Sequence, residues 1–118
     1  MAVYTQDDLV DRVLVRLGEV GFGQSAEPEA RARVLHSVDG ILDELTADRI
    51  YDFGGCAEIP GAAFDPLVSI VAARVAPDFG AGSDEVTLLA AQAQGAVQRL
   101  RRYRALNASH TYTRADYF

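Results

Sequence analysis

A chain of 118 residues, 49% hydrophobic and 24% charged, has room for one domain and is too apolar to be disordered throughout. Its 17 acidic residues outnumber 11 cations, all of them arginine, and the net charge of −6 argues against a dedicated nucleic-acid binder, a class that is usually basic. The single cysteine, Cys56, excludes an internal disulfide and any multi-cysteine metal site.

The start of the chain has no basic residues leading into an apolar run, so no signal peptide is expected. No apolar stretch approaches the ~20 residues of a membrane span, so the expectation is a protein soluble where it is made, with no membrane partner. Charge is unevenly placed. Residues 1–60 carry 12 acidic residues against 5 arginines, whereas residues 96–118 carry 5 arginines and one aspartate. A basic end on an acidic body favours docking that end on an acidic surface, including a neighbouring copy of the same chain.

The elements read as all-α. Thr5 can cap a first helix, with Asp7 and Asp8 at the positive end of its dipole. Leu9, Val10, Val13, Leu14, Leu17 and Val20 recur at helical spacing, and Gly18, Gly21 and Gly23 end the element. A second helix opens at Glu27 or Pro28. Its buried stripe is Val34, Leu35, Val38, Ile41, Leu42 and Leu45, and Arg31, Asp39, Asp43, Glu44 and Asp48 cover the other side. From Arg49 to Pro60 the period is lost; Gly54 and Gly55 mark a loop or short hairpin that Ile50, Tyr51, Phe53 and Ile59 pack against the body.

A third helix is expected to begin with Asp65 as cap and Pro66 in the first helical position, and to stop at Pro77. Leu67, Val68, Ile70, Val71, Ala72 and Val75 make it apolar on nearly every side, which places it at the centre. Ser83 is expected to cap a fourth helix, with Asp84 and Glu85 in its first turn. Its inner face is Leu89, Ala93, Ala96, Val97, Leu100 and Tyr103. Residues 1–105 therefore read as a bundle of about four helices. Residues 106–118, with no helical period, read as a flexible C-terminal docking tail whose Tyr112, Arg114, Asp116, Tyr117 and Phe118 become ordered on a partner.

Little in the chain suggests catalysis. His36 and His110 have no metal-ligand spacing, and no serine stands in a nucleophile elbow. Ser69 is expected to bond back to its own helix, Asp43 and Glu44 to lie on a solvated face, and Cys56 to be an inert thiol. No enzyme activity, cofactor or metal is expected. The cluster Arg99, Arg101, Arg102 and Arg104 is the feature with a functional reading. Placed in the last turns of the fourth helix, it suits the negative end of the dipole and docking on a protein. Interleaved with Tyr103 it could instead contact nucleic acid, and the acidity of the whole chain favours docking.

Several runs resemble one family. Leu9-Val10-Asp11-Arg12-Val13-Leu14-Val15-Arg16-Leu17-Gly18 and Val38-Asp39-Gly40-Ile41-Leu42-Asp43-Glu44-Leu45 are similar to the first two helices of the head-to-tail adaptors of tailed bacteriophages, also called tail accessory factors or DNA stabilisation proteins. Ile59-Pro60, followed by the run from Leu67 through Arg74-Val75-Ala76-Pro77-Asp78-Phe79-Gly80, is the sharpest match, and Asp116-Tyr117-Phe118 resembles their aromatic ending. The resemblance covers roughly residues 5–105 and the extreme tail; some relatives carry much longer C-terminal extensions, whose contacts do not carry over.

The resemblance implies a virion protein of the neck, made in the host bacterial cytoplasm. It would form a dodecameric ring under the portal protein, prolong the channel through which genomic DNA passes without sequence-specific binding, and offer a platform to a nozzle or tail-tube protein. It further suggests a free protein that is monomeric or weakly associated and closes into a ring on the portal. Two other readings are a helical interaction module with no virion role, and a DNA-binding protein that uses the arginine-rich fourth helix.

Overall fold

The computed structural model describes residues 3–18, 27–48, 50 and 58–115, the side chains of Glu58 and of 106–115 excepted. In chain order a short strand β1 (Val3–Thr5) leads into helix α1 (Gln6–Arg16). Helix α2 (Pro28–Ala47), strand β2 (Glu58–Pro60) and helix α3 (Gly61–Val75) follow. A 3-10 turn (Ala76–Phe79) then leads to helix α4 (Ser83–Ala115). The protein is all-α, with only a minor two-stranded sheet.

Helix α1 starts where its local chemistry demands. The Thr5 hydroxyl accepts from the Asp8 backbone N–H at 3.2 Å, and the Asp8 carboxylate accepts from the Thr5 N–H at 2.9 Å, so two otherwise orphaned donors are satisfied reciprocally. It ends at Leu17 and Gly18, whose φ of 77° is left-handed backbone that glycine adopts without a Cβ penalty. Helix α2 opens as read, with Glu27 in the cap position and Pro28 in the first turn. Val34, Val38, Ile41, Leu42 and Leu45 are buried. Leu35 is not: it is 37% exposed, because α1 and α3 cover one side of α2 and Leu35 falls on the flank of that stripe.

The sequence reading of the start of α3 needs a correction. Before it, Glu58–Pro60 pairs antiparallel with the chain start, Val3 opposite Pro60, Tyr4 opposite Ile59 and Thr5 opposite Glu58, while Gly54 and Gly55, read as a loop or short hairpin, lie outside the described residues. Tyr51 and Phe53 lie outside the described residues, while Ile50 and Ile59 are buried as expected. Helix α3 then begins at Gly61, with Pro60 at the cap, one turn ahead of the expected Asp65–Pro66 start. Pairing with β1 sets the direction of the chain at Pro60, and the added turn buries Ala63 and Phe64, which outweighs the one backbone hydrogen bond that Pro66 cannot donate. The Phe64 ring stacks on Tyr4 with centroids 4.0 Å apart and planes at 19°, fastening β1 to α3.

Helix α3 is the centre of the bundle, as its sequence predicts. Of its residues from Ala63 to Ala72 only Asp65 is exposed, and α1, α2 and α4 all pack against it. Pro77 sits within the 3-10 turn that continues α3, and Gly80, again at φ 77°, closes it. Helix α4 begins at Ser83, whose carbonyl accepts from the Thr87 hydroxyl at 2.9 Å; the Val86 N–H bonds the Gly82 carbonyl. Ser83 is thus the first helical residue, one place inside its expected cap position. The inner face is as read: Leu89, Ala96 and Leu100 are buried, and Ala93, Val97 and Tyr103 are half-buried against the core.

The backbone of α4 stays helical to Ala115, past the boundary at 105 drawn from loss of period. No glycine or proline stands between Ala96 and Ala115 to break it. At 33 residues it is about 50 Å long at 1.5 Å per residue, against 15 residues for the α3 partner it folds back on, and the molecule measures 53 × 27 × 23 Å. The stretch expected as a tail therefore lies beyond the end of α3. Residues 116–118 fall outside the described residues.

Candidate functional site

The ion pairs define the site by contrast. Arg31 on α2 reaches both Asp11, in a short contact, and Asp7 at 3.4 Å, one turn apart on α1. Arg33 pairs with Glu29 at 3.8 Å. Arg74 on α3 forms a two-pronged bond with Glu44 on α2, at 2.8 and 2.6 Å. The arginines of α2 and α3 that the structure describes therefore all have carboxylate partners.

The Arg74 hydrogen bond, and then its charge, lower the Glu44 pKa, and the same contact raises that of Arg74. A carboxylate with a depressed folded pKa contributes stability that is present above its unfolded pKa and lost as pH falls through the lower folded value. The stability difference between the wild type and Glu44→Gln is therefore expected at neutral pH and should shrink through the acid range below the usual glutamate pKa. Denaturant melts of both proteins at a series of pH values check this; a difference that persists unchanged into strong acid contradicts it. Glu44 and Arg74 are each about half exposed, so the effect is that of a surface pair and small.

Of the other described arginines, Arg12, Arg16, Arg99, Arg101 and Arg102 have no carboxylate partner among the described residues, and the first three share one concavity. Arg12 and Arg16 are one turn apart on α1, and Arg99 is on α4. With Asp65, Val68 and Ser69 of α3 and Val15 of α1 they line an open cleft of about 330 Å³, where α1 and α4 flank the central helix. The acids of α1 are engaged elsewhere: Asp8 caps its own helix, and Asp7 and Asp11 hold Arg31.

Each wall of the cleft has a fixed element. Arg16 donates to the Ser69 hydroxyl at 2.8 Å, so this 3% exposed serine serves as an acceptor for α1, where it was expected to bond back to its own helix. The Arg12 guanidinium lies over the Phe64 ring, 5.8 Å from its centroid, a contact that favours the cation at the cleft edge. Val15 and Val68 supply an apolar floor. Three cations and one carboxylate leave the cleft with positive charge in a chain that is acidic overall.

The predicted arginine cluster is divided by the helix. Arg99 lines the cleft; Arg101 and Arg102 are exposed; Arg104 and Tyr103 are half-buried and engaged with neighbours. The expectation that these cations stabilise the end of α4 is overturned. They lie more than two turns before Ala115, and the dipole effect is confined to the last turn. Tyr112 and Arg114 stand on the helical backbone of α4, their side chains outside the described residues, as are Asp116, Tyr117 and Phe118 altogether.

Sequence reasoning missed Arg12, Arg16 and Asp65. The available signal was two like charges at i,i+4 on α1, a pair that repels in isolation. Among the described residues no group of three or more His, Cys, Asp or Glu is placed to hold a metal ion, and no helix is long and apolar enough to cross a membrane.

Fold and site together define a class: a four-helix α bundle with an elongated final helix and a cationic cleft beside its central one. Neither family models, nor curated proteins, nor solved structures contain a match to this chain.

Proposed function

We propose that the protein is a head-to-tail adaptor of a tailed bacteriophage. It is a virion structural protein, not an enzyme, and copies of it form a ring beneath the portal protein that extends the DNA channel and carries the nozzle or tail-tube protein. The reading rests on the sequence runs in α1, α2 and α3 that resemble this family. The structural observation that supports it best is the separation of charge between helices. The exposed acids Asp39 and Asp43 belong to α2, with Asp48 capping its end, and the exposed Arg101 and Arg102 belong to α4, whose own acids Asp84 and Glu85 lie far off in its first turn. Both helices pack on α3. A ring closes through a heterologous contact between two different patches of one subunit, and opposed charges on separate helices provide such a pair. The reach of α4 past α3 supplies a projecting element for docking on the portal.

Electron microscopy of the purified protein with and without purified portal tests this. Rings are expected on portal particles, and monomers or weak oligomers without them. Stable closed rings at micromolar protein without portal would overturn assembly on the portal, and failure to bind any portal would overturn the adaptor reading. The exposure of Arg101 and Arg102 also allows direct DNA binding. That alternative requires steeply salt-dependent affinity for duplex DNA that disappears when both become alanine.

A further inference from the structure

We propose that the cleft between α1 and α4 is a docking site for an acidic protein segment, whose carboxylate side chain is held by Arg12, Arg16 and Arg99 while its backbone N–H donates to Asp65. The site holds whether or not the chain assembles under a portal.

The first observation is the partnering of arginines. In a chain with 17 acidic residues, Arg31, Arg33 and Arg74 all sit on carboxylates, yet Arg12, Arg16 and Arg99 have none among the described residues and, unlike the equally unpaired Arg101 and Arg102 on the open surface, converge on one concavity. Holding like charges around one concavity costs free energy, and an arriving anion removes that cost. Guanidinium forks are suited to carboxylates because two parallel N–H groups match two oxygens.

The second observation is that two of the three cations are positioned before anything binds. The Ser69 hydroxyl, buried in α3, fixes Arg16, and the Phe64 ring supports Arg12, so little side-chain freedom is lost on binding. The third is Asp65. An exposed carboxylate in an arginine cleft repels a continuous polyanion, whose phosphates offer it no hydrogen-bond donor. A peptide offers both an acid and an N–H. The net charge of −6 also disfavours nucleic acid. An acidic protein segment satisfies every group in the cleft; a nucleic-acid backbone leaves Asp65 opposed.

The test uses the whole chain at low salt, with a blocked Ala-Glu-Glu-Ala peptide as the probe and NMR titration as the readout. Saturable binding is expected, with shifts concentrated in α1, the Asp65–Ser69 turn and the middle of α4. Arg12→Gln and Arg99→Gln should each weaken it about tenfold, the usual loss of one charge-assisted hydrogen bond, while Arg101→Gln leaves it unchanged. Helical circular dichroism and melting of each variant establish that it is folded; Arg16 is left in place because it holds Ser69. Three results would overturn the proposal: no saturable binding, equal weakening by Arg101→Gln, or a short DNA duplex that binds the same residues more tightly than the peptide.

Discussion

Val71→Asp is expected to abolish the cooperative thermal transition of the protein. Val71 is fully buried in α3, the helix on which α1, α2 and α4 all pack, and among the described residues no buried side-chain polar atom lacks a partner. A carboxylate introduced there meets an apolar wall on every side. Ionised, it carries an unpaired buried charge at a cost of several kcal/mol; protonated, it still leaves a polar group without hydrogen bonds. Domains of this size are stable by about 5–15 kcal/mol, and the loss falls on the one helix that no other element can replace. Circular dichroism should show reduced helicity at room temperature and a broad, non-sigmoidal melt. A sharp transition within a few degrees of the wild type would mean that α3 is not the centre of the core.

Leu100→Ala has the second largest expected effect, and it acts on one contact. Leu100 is fully buried on α4 and belongs to the core that α3 anchors. Removing its side chain loses the transfer free energy of the missing groups and leaves a cavity, together about 2–5 kcal/mol. Leu89 and Ala96 hold α4 nearer its start, so the helix is expected to stay attached there while its contact around Leu100 loosens. The melting temperature should fall by roughly 10 °C or more with the transition still cooperative. Hydrogen exchange should rise most in the α4 turn around Leu100. A drop of only a degree or two would show that α4 is held mainly by its first turns.

The elements legible in the sequence are those whose cause is local. Thr5 and Asp8 are three residues apart, and the cap they form depends on nothing outside that turn. The inner face of α4 was legible because Leu89, Ala96 and Leu100 follow one helical period against one neighbour. The start of α3 was not, because the partner that directs Pro60 is Val3, far away in sequence and itself unremarkable. Leu35 shows the same limit: periodicity marks an apolar stripe, but the width of the stripe that is covered depends on how α1 and α3 lie over it.

The cleft was the least legible part. Arg99 stood out as one of four arginines close together, and proximity in sequence suggested a single basic patch. A helix turns successive residues by about a quarter to a third of a circle, so the four face different ways, and Arg99 belongs with Arg12 and Arg16. Those two carried no separate reading in the sequence, where they stand within the run Leu9 to Gly18. What sets them apart is that the acids of α1 are committed to Thr5 and Arg31, and the pairs with Arg31 exist only because α1 and α2 pack together.

The disparity in length between α4 and α3 has a mechanical consequence. Supported where Leu89, Ala96 and Leu100 sit in the core and Ala93, Val97 and Tyr103 pack against it, α4 is a cantilever whose outer part runs past its support. A tilt of about ten degrees at the support would sweep a point about 20 Å further along by 3–4 Å, close to the rise of two residues. Arg99 lies at the base of that beam, inside the cleft. An occupant of the cleft that displaced Arg99 would act at the support, where a small rotation is carried to the far end.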